Sequence, residues 1–130
     1  EMAGGGMTIK VLAIDDSRTI RSLVRKVMED AGFHCVCAED GVEGVNRFAE
    51  ENPDIVITDI NMPNMDGFGV INSIRSGTSN RMVPILVLTT ESADHLKAKA
   101  REAGATGWIV KPFDDETIVS LVRRVTGARA

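Results

Sequence analysis

Several features that mark other protein classes are missing from this chain of 130 residues. No apolar run approaches the roughly 18 residues that a membrane-spanning helix needs, and no segment has the layout of a secretory signal peptide. There is no internal repeat and no low-complexity tract. Lysine and arginine form no cluster, and the net charge of −4 disfavours nucleic acid as a direct partner. These absences leave a single globular domain without membrane insertion.

Cysteine is scarce, with only Cys35 and Cys37 in an apolar stretch. On a strand the two side chains point to the same face, about 6.6 Å apart along the chain, which is too far for a relaxed disulfide. His34 points to the opposite face, so a metal site would lack converging ligands. We therefore predict reduced, buried thiols and a cytoplasmic location.

The first six residues, EMAGGG, resemble an expression remnant that precedes a native Met7. We expect residues 1–6 to be disordered and exclude them from the fold. One domain is predicted over residues 7–130, a length that buries a sufficient core without disulfides or a structural metal.

Five strand-like and five helix-like segments alternate along the chain. The strands are short runs rich in Val and Ile, predicted at residues 9–14, 33–38, 55–58, 85–89 and 108–110. Because most of these runs are continuously apolar, they indicate parallel strands covered on both faces. The order of segments predicts an α/β fold with a doubly wound five-stranded parallel sheet, strand order 2-1-3-4-5 and five helices, which is the flavodoxin-like arrangement.

The helices are predicted from apolar stripes and end signals. Asp16 or Ser17 could cap the first, and Asp114 or Asp115 the last. Asp66-Gly67 favours a turn. The fourth helix, residues 93–103, is poor in large apolar residues, which predicts weak anchoring and an exposed face.

Polar side chains follow four of the predicted strands. Asp15 and Asp16 follow the first, Asp59 the third, Thr89 the fourth and Lys111 the fifth. The carboxyl ends of parallel strands share one rim of the sheet, where ligands bind in this architecture. Three carboxylates would repel one another there unless a hard cation such as Mg²⁺ joins them.

Asn61 lies two residues past Asp59 and can add a backbone carbonyl to such a metal site. A metal ion, a hydroxyl and a lysine around one carboxylate are the parts needed for phosphoryl transfer. Asp59 is the best-placed nucleophile, because its strand is central and faces Asp16 and Lys111. Thr89 would donate a hydrogen bond to the transferred group.

Four segments together resemble response-regulator receiver domains of the stand-alone chemotaxis type (CheY-like). They are IDDS at 14–17, DINMPNMDG at 59–67, TTE at 89–91 and GWIVKPF at 107–113. The resemblance covers residues from about Thr8 to Val125, with every motif in order. It implies that the chain is a two-component signalling protein that catalyses its own phosphorylation and dephosphorylation and is not otherwise an enzyme.

The resemblance implies a role for each site residue. Asp59 would be the phosphoacceptor, Asp15 and Asp16 the acidic Mg²⁺ pair, and Asn61 the carbonyl donor to the metal. Lys111 would bind the phosphoryl group. The peptide bond between Lys111 and Pro112 is at a position that is often cis in the family. Two further roles are implied, for the switch residues Thr89 and Trp108, and for the residues that tune hydrolysis, Asn61 and Glu91.

A sensor histidine kinase is the implied phosphoryl donor, and a monomer is expected. The implied output is protein binding by the face of helix 4, strand 5 and helix 5, for example to a flagellar motor component. Alternatives remain open: a phosphate sink or relay, or a small Mg²⁺-dependent phosphatase, although Asn61 replaces the second acid that such phosphatases use. The tail from Thr126 is read as a natural end, against excision from a longer DNA-binding regulator.

Overall fold

A computed structural model describes residues 8–127 of the chain. The strands are β1 Lys10–Ile14, β2 His34–Ala38, β3 Ile55–Thr58, β4 Ile85–Thr89 and β5 Gly107–Val110. The helices are α1 Arg18–Asp30, α2 Gly41–Glu51, α3 Gly67–Ser76, α4 Asp94–Ala103 and α5 Asp115–Thr126. The predicted expression remnant at residues 1–6 and the last three residues of the predicted domain lie outside the described residues.

All five strands are parallel, in the order β2-β1-β3-β4-β5. This confirms the predicted α/β fold and its strand order. The predicted bounds differ slightly, since Ile9 precedes β1, Phe33 precedes β2 and Gly107 belongs to β5. The central strands β3 and β4 are buried throughout, whereas the edge strand β5 is only partly covered.

Alternate residues of each strand enter two apolar layers, one on each side of the sheet. In β1, Leu12 and Ile14 face the layer under α2, α3 and α4, while Val11 and Ala13 face the layer under α1 and α5. Each fully buried Leu or Ile side chain stabilises the fold by about 1.5–3 kcal/mol. Apolar packing on both faces of the sheet therefore stabilises the strands. Because the strands are parallel, their carboxyl ends lie at a single rim of the sheet.

Four helices begin with a side chain that accepts a hydrogen bond from a backbone amide of the first turn: Ser17, Asp40, Asp66 and Asp114. Ser17 caps α1 and Asp114 caps α5, which decides between the pairs left open by the sequence. The prediction of a turn at Asp66-Gly67 was wrong, because Asp66 accepts a hydrogen bond from Gly69 at 2.8 Å and so starts α3. An Asp-Gly pair suits both a turn and a helix start.

Helix α4 is weakly anchored, as its composition predicted. Ala100 is its one buried residue, and Ala93 at its start makes no side-chain capping hydrogen bond among the described residues. Its end is held by Arg75, whose Nε and Nη2 donate to the carbonyl of Gly104 at 3.0 and 2.9 Å. The same guanidinium donates to the carbonyl of Arg81 at 2.6 Å. The two ends of α4 are therefore held unequally.

The prediction of free thiols is confirmed, and Cys35 and Cys37 contribute to the same apolar layer, but the prediction of burial holds fully only for Cys35. Cys35 is buried and Cys37 half-buried, while His34 and His95 are exposed. Within residues 8–127, no helix is both long and apolar enough to cross a membrane.

Candidate functional site

Polar side chains gather at the rim where the strands end. Within residues 8–127, the buried polar or charged residues are Asp15, Thr58, Asp59 and Thr89, each 7% exposed or less. Three of these were predicted from the sequence as site residues. Burying such groups is unfavourable unless hydrogen bonds or charges compensate, so their grouping at one rim indicates a site rather than ordinary core.

Lys111 joins two of the carboxylates directly. Its Nζ donates to Asp15 Oδ2 at 2.8 Å and to Asp59 Oδ2 at 3.0 Å, and its side chain is only 10% exposed. Burial opposes the charged ammonium, but the hydrogen bonds and charges of Asp15 and Asp59 outweigh it and raise the pKa of Lys111. The Lys111-Pro112 peptide bond is cis, as the resemblance led us to expect.

The Asp59 carboxylate is fixed from two sides. Its Oδ1 accepts hydrogen bonds from the backbone amides of Ile60 at 2.6 Å and Asn61 at 3.4 Å, while Oδ2 accepts from Lys111. Behind it, the Thr58 hydroxyl donates to the carbonyl of Asp59 at 2.8 Å. Both carboxylate oxygens are therefore oriented by hydrogen bonds.

Three carboxylates form a possible cation site. Asp15, Asp16 and Asp59 each offer an oxygen within 4.8 Å of the others, and Asp16 is exposed to solvent. Burial raises the pKa of the Asp15 carboxyl, and hydrogen bonds from Lys111 and from the amide of Ser17 offset part of that rise. Hard oxygen donors at an open rim fit Mg²⁺, which keeps several waters. The donor set therefore fits the predicted metal.

Glu91 contacts three other predicted residues at the mouth of the site. Its Oε2 accepts a hydrogen bond from Asn61 Nδ2 at 3.0 Å, and its backbone carbonyl accepts one from Trp108 Nε1 at 3.0 Å. Its amide lies 3.4 Å from the buried Thr89 hydroxyl, which accepts. The residues predicted to tune hydrolysis and to switch thus meet at Glu91, in the segment after β4.

The indole of Trp108 is half-buried. It packs against the apolar layer under α2, α3 and α4, with its N–H directed to Glu91. The ring is thus partly exposed while its polar atom is satisfied.

Among the contacts that sequence reasoning missed, one links a loop and a helix near the site. Asn64 Nδ2 donates to Asp40 Oδ2 at 2.8 Å, which links the loop after β3 to the start of α2. Asp40 before the apolar stripe of α2 was a readable helix-start signal, but nothing in the sequence pairs it with a residue 24 positions away.

Comparisons with known proteins agree with this geometry. The family model described as the response regulator receiver domain matches residues 11–123. The crystallised chemotaxis response regulator CheY4 of Vibrio cholerae is 40% identical with a TM-score of 0.86, over 92% of this chain and 99% of that one. Protein PilG of Pseudomonas aeruginosa is 30% identical over 88% of this chain and 85% of its own length.

A third relative is longer than this chain. Protein ycf27 of Guillardia theta is 38% identical over 116 residues, which are 89% of this chain but only 44% of ycf27. The chain thus spans less than half of that relative and most of PilG. Because the family model matches most of the chain and the fold and rim agree with it, the chain belongs to the response regulator receiver domain family, and its solved neighbours include CheY-like single-domain regulators.

Proposed function

We propose that this receiver domain accepts a phosphoryl group on Asp59 and uses the change to alter protein binding. The observation that carries the proposal is the contact of Lys111 Nζ with both Asp15 and Asp59 beside a third carboxylate, Asp16. A structural role alone would not need three carboxylates and a lysine at one rim of the sheet.

The covalent step is a displacement at phosphorus. A carboxylate oxygen of Asp59 forms a bond to the phosphorus atom, and the bond from phosphorus to the donor's leaving group breaks. The leaving group departs with that electron pair, as acetate if the donor is acetyl phosphate. A sensor histidine kinase is the proposed physiological donor, which agrees with membership of the family.

The residues around Asp59 would bind the metal and stabilise the transferred phosphoryl group. Asp15, Asp16, Asp59 and the Asn61 carbonyl would hold Mg²⁺, which neutralises charge on the phosphoryl oxygens when bound. Lys111 would contribute a second positive charge, and its raised pKa keeps the ammonium protonated. The Thr89 hydroxyl, buried at the end of β4, would donate a hydrogen bond to the transferred group.

Output is proposed for the face formed by α4, β5 and α5. Thr89 and Trp108 both contact Glu91. A movement of the Thr89 hydroxyl toward a phosphoryl group would therefore be transmitted through Glu91 to the indole. Helix α4 begins three residues after Glu91 and buries little. Phosphorylation would then shift a two-state equilibrium of this face. Asn61 and Glu91, joined by a hydrogen bond, would set access of water and hence the hydrolysis rate.

A role in chemotaxis or motility is the proposed pathway, because the similar CheY4 is a chemotaxis response regulator. The output partner would be a protein such as a flagellar motor component. A role as a phosphate sink or relay uses the same chemistry, and we expect it to differ only in the absence of a phosphorylation-dependent partner.

Acetyl phosphate and intact mass spectrometry test the acceptor. We expect wild type to gain about 80 Da, one phosphoryl group, only when Mg²⁺ is present, and Asp59→Asn to gain nothing. Asp66→Asn is the matched control, since it changes the same charge in the same loop and keeps a helix-capping residue. Phosphorylation of Asp59→Asn at the wild-type level, or of wild type without any metal, would refute the proposed site.

A further inference from the structure

The loop that carries Asn61 is tied to a helix that takes no part in the proposed chemistry. We define the β3–α3 loop as residues 59–66. Its Asn64 has left-handed backbone with φ +69°, and its side-chain amide donates to Asp40 Oδ2 at 2.8 Å. Asp40 stands just before α2.

Asp40 uses its two oxygens for different purposes. Oδ1 accepts a hydrogen bond from the Glu43 amide at 2.8 Å and so caps α2, while Oδ2 accepts from Asn64. Both hydrogen bonds lower the pKa of the Asp40 carboxyl, and the one from the Glu43 amide has the larger effect. Because the cap fixes the carboxylate, the second oxygen has a defined position from which to hold the loop.

Packing at the same place supports the hydrogen bond. Gly41 is buried, and a Cβ there would collide with the backbone oxygen and Cβ of Met65. The loop backbone therefore lies directly on the first turn of α2. Met65 is half-buried and packs against the apolar layer under α2, α3 and α4.

The rest of the loop is held at its two ends. Asp59 Oδ1 accepts from the amides of Ile60 and Asn61 at the start, and Asp66 caps α3 at the end. Between these ends, the side chain of Asn64 donates a hydrogen bond to Asp40, just before α2. Asn61 lies three residues before Asn64; its amide donates to Asp59 and its side chain to Glu91, so the Asn64–Asp40 hydrogen bond is the next attachment along the loop.

We infer that Asp40 is a positioning residue for the metal site: by holding Asn64 it keeps the β3–α3 loop in the form that presents the Asn61 carbonyl to Mg²⁺. The inference rests on the proposed function, because it needs Asn61 to contribute to the metal. It predicts an effect on Mg²⁺ affinity from a residue outside the site. Partners of metal ligands typically alter affinity tenfold to a hundredfold, and we expect less from a residue that acts through the loop.

The first variant is Asp40→Asn. Asn caps helices as well as Asp does, so α2 keeps its start, but the carboxylate acceptor is lost. Asn64 must then turn its amide oxygen toward the new NH₂, which replaces a charge-assisted hydrogen bond by a weaker neutral one. We expect Mg²⁺ to bind about threefold to tenfold more weakly, measured from the shift of backbone amide resonances during Mg²⁺ titration. Without metal, amides of residues 61–65 should exchange faster, and the melting temperature should stay close to wild type.

The second test reverses the hydrogen bond. In the double variant Asp40→Asn with Asn64→Asp, donor and acceptor exchange places and the net charge is that of wild type. We expect the Mg²⁺ affinity to return to within about twofold of wild type, whereas Asn64→Asp alone should not show this gain, because two carboxylates then face each other. The double-mutant cycle removes the additive effect of each charge. Glu50→Gln, on the exposed side of α2, is the matched charge control.

The outcomes separate the two proposals. Weaker binding in Asp40→Asn, with recovery in the exchanged pair, supports the positioning role. Wild-type affinity in both Asp40→Asn and Asn64→Gly, or a double variant no tighter than the sum of the single changes, overturns it while the proposed function stands. If wild type itself binds no Mg²⁺, the proposed function fails and the positioning role fails with it. Asn64→Gly is the second variant that guards against misfolding, because it keeps Asp40 and tolerates the left-handed backbone. It has no side chain to bond Asp40, so its loss of Mg²⁺ affinity should be at least that of Asp40→Asn.

Discussion

The indole Nε1 of Trp108 donates a hydrogen bond to the backbone carbonyl of Glu91 at 3.0 Å. Phe at this position would keep an aromatic ring but could not donate. We expect Trp108→Phe to lower the free energy of unfolding by about 1–2 kcal/mol, because the carbonyl loses its partner and the smaller ring packs less. Urea denaturation followed by far-ultraviolet circular dichroism measures this without tryptophan fluorescence.

Amide hydrogen exchange gives the local test of the same substitution. Exchange at Glu91 and Ser92 should be faster in Trp108→Phe than in wild type, whereas amides of β1 should change only with global stability. Unchanged exchange at Glu91 would mean that the indole does not hold this segment.

Removal of the Lys111 charge should expose the repulsion among the rim carboxylates. Lys111→Met leaves Asp15 and Asp59 buried without their cation, and we expect a loss of about 3 kcal/mol in unfolding free energy without metal. Millimolar Mg²⁺ should stabilise this variant more than wild type, since the ion meets a more negative site. Urea denaturation with and without Mg²⁺ makes the comparison.

Lys10→Met is the matched control for Lys111→Met. Lys10 pairs with Glu51 at 3.2 Å, but both side chains are partly exposed, 33% and 25%. A pair of that kind contributes at most about 1 kcal/mol. Equal losses in the two variants would argue that burial at the rim adds nothing to the Lys111 contacts.

Gly67 is required by a close approach of backbone rather than by its dihedral angles. A Cβ at this position would collide with the carbonyl oxygen of Asp59 and crowd Ile60 Cα. We expect Gly67→Ala to cost about 2 kcal/mol or more, because neither neighbour is a flexible side chain. Gly77→Ala is the control: φ is −77°, its nearest contacts are at 3.4 Å, and the change should be within about 1 kcal/mol of wild type. Thermal or urea unfolding of both variants distinguishes the two positions.

Arg75 should determine how firmly the end of α4 is held. Arg75→Met removes three hydrogen bonds to the carbonyls of Gly104 and Arg81, so we expect a loss of about 1–2 kcal/mol and faster amide exchange near Gly104. Arg101→Met, an exposed change on α4, should leave both quantities near wild type. If Arg101→Met had the larger effect, the assigned contacts of Arg75 would not explain the stability of this end.

The sequence predicted the features that depend on local patterning. Continuous Val and Ile runs indicated β3 and β4 as buried parallel strands, and the position of Lys111 after the last strand brought it to the rim beside Asp59. Features that depend on loop conformation were missed or misassigned. Asp66 suited a turn and a cap equally, and the pairs Asp40–Asn64 and Asn61–Glu91 join residues 24 and 30 positions apart through side chains whose direction no periodicity encodes.

Helix α4 is held firmly at Gly104 and only weakly at its start, so it can pivot about its last turn. With ten residues it is about 15 Å long, and the Arg75 contacts place the fulcrum at Gly104. A tilt of roughly 10° about that end would move the first turn by about 2.6 Å and the last turn hardly at all. The end with the large travel is the one that follows Glu91, so a displacement beside Thr89 would move the first turn of α4 most and fall away toward Gly104.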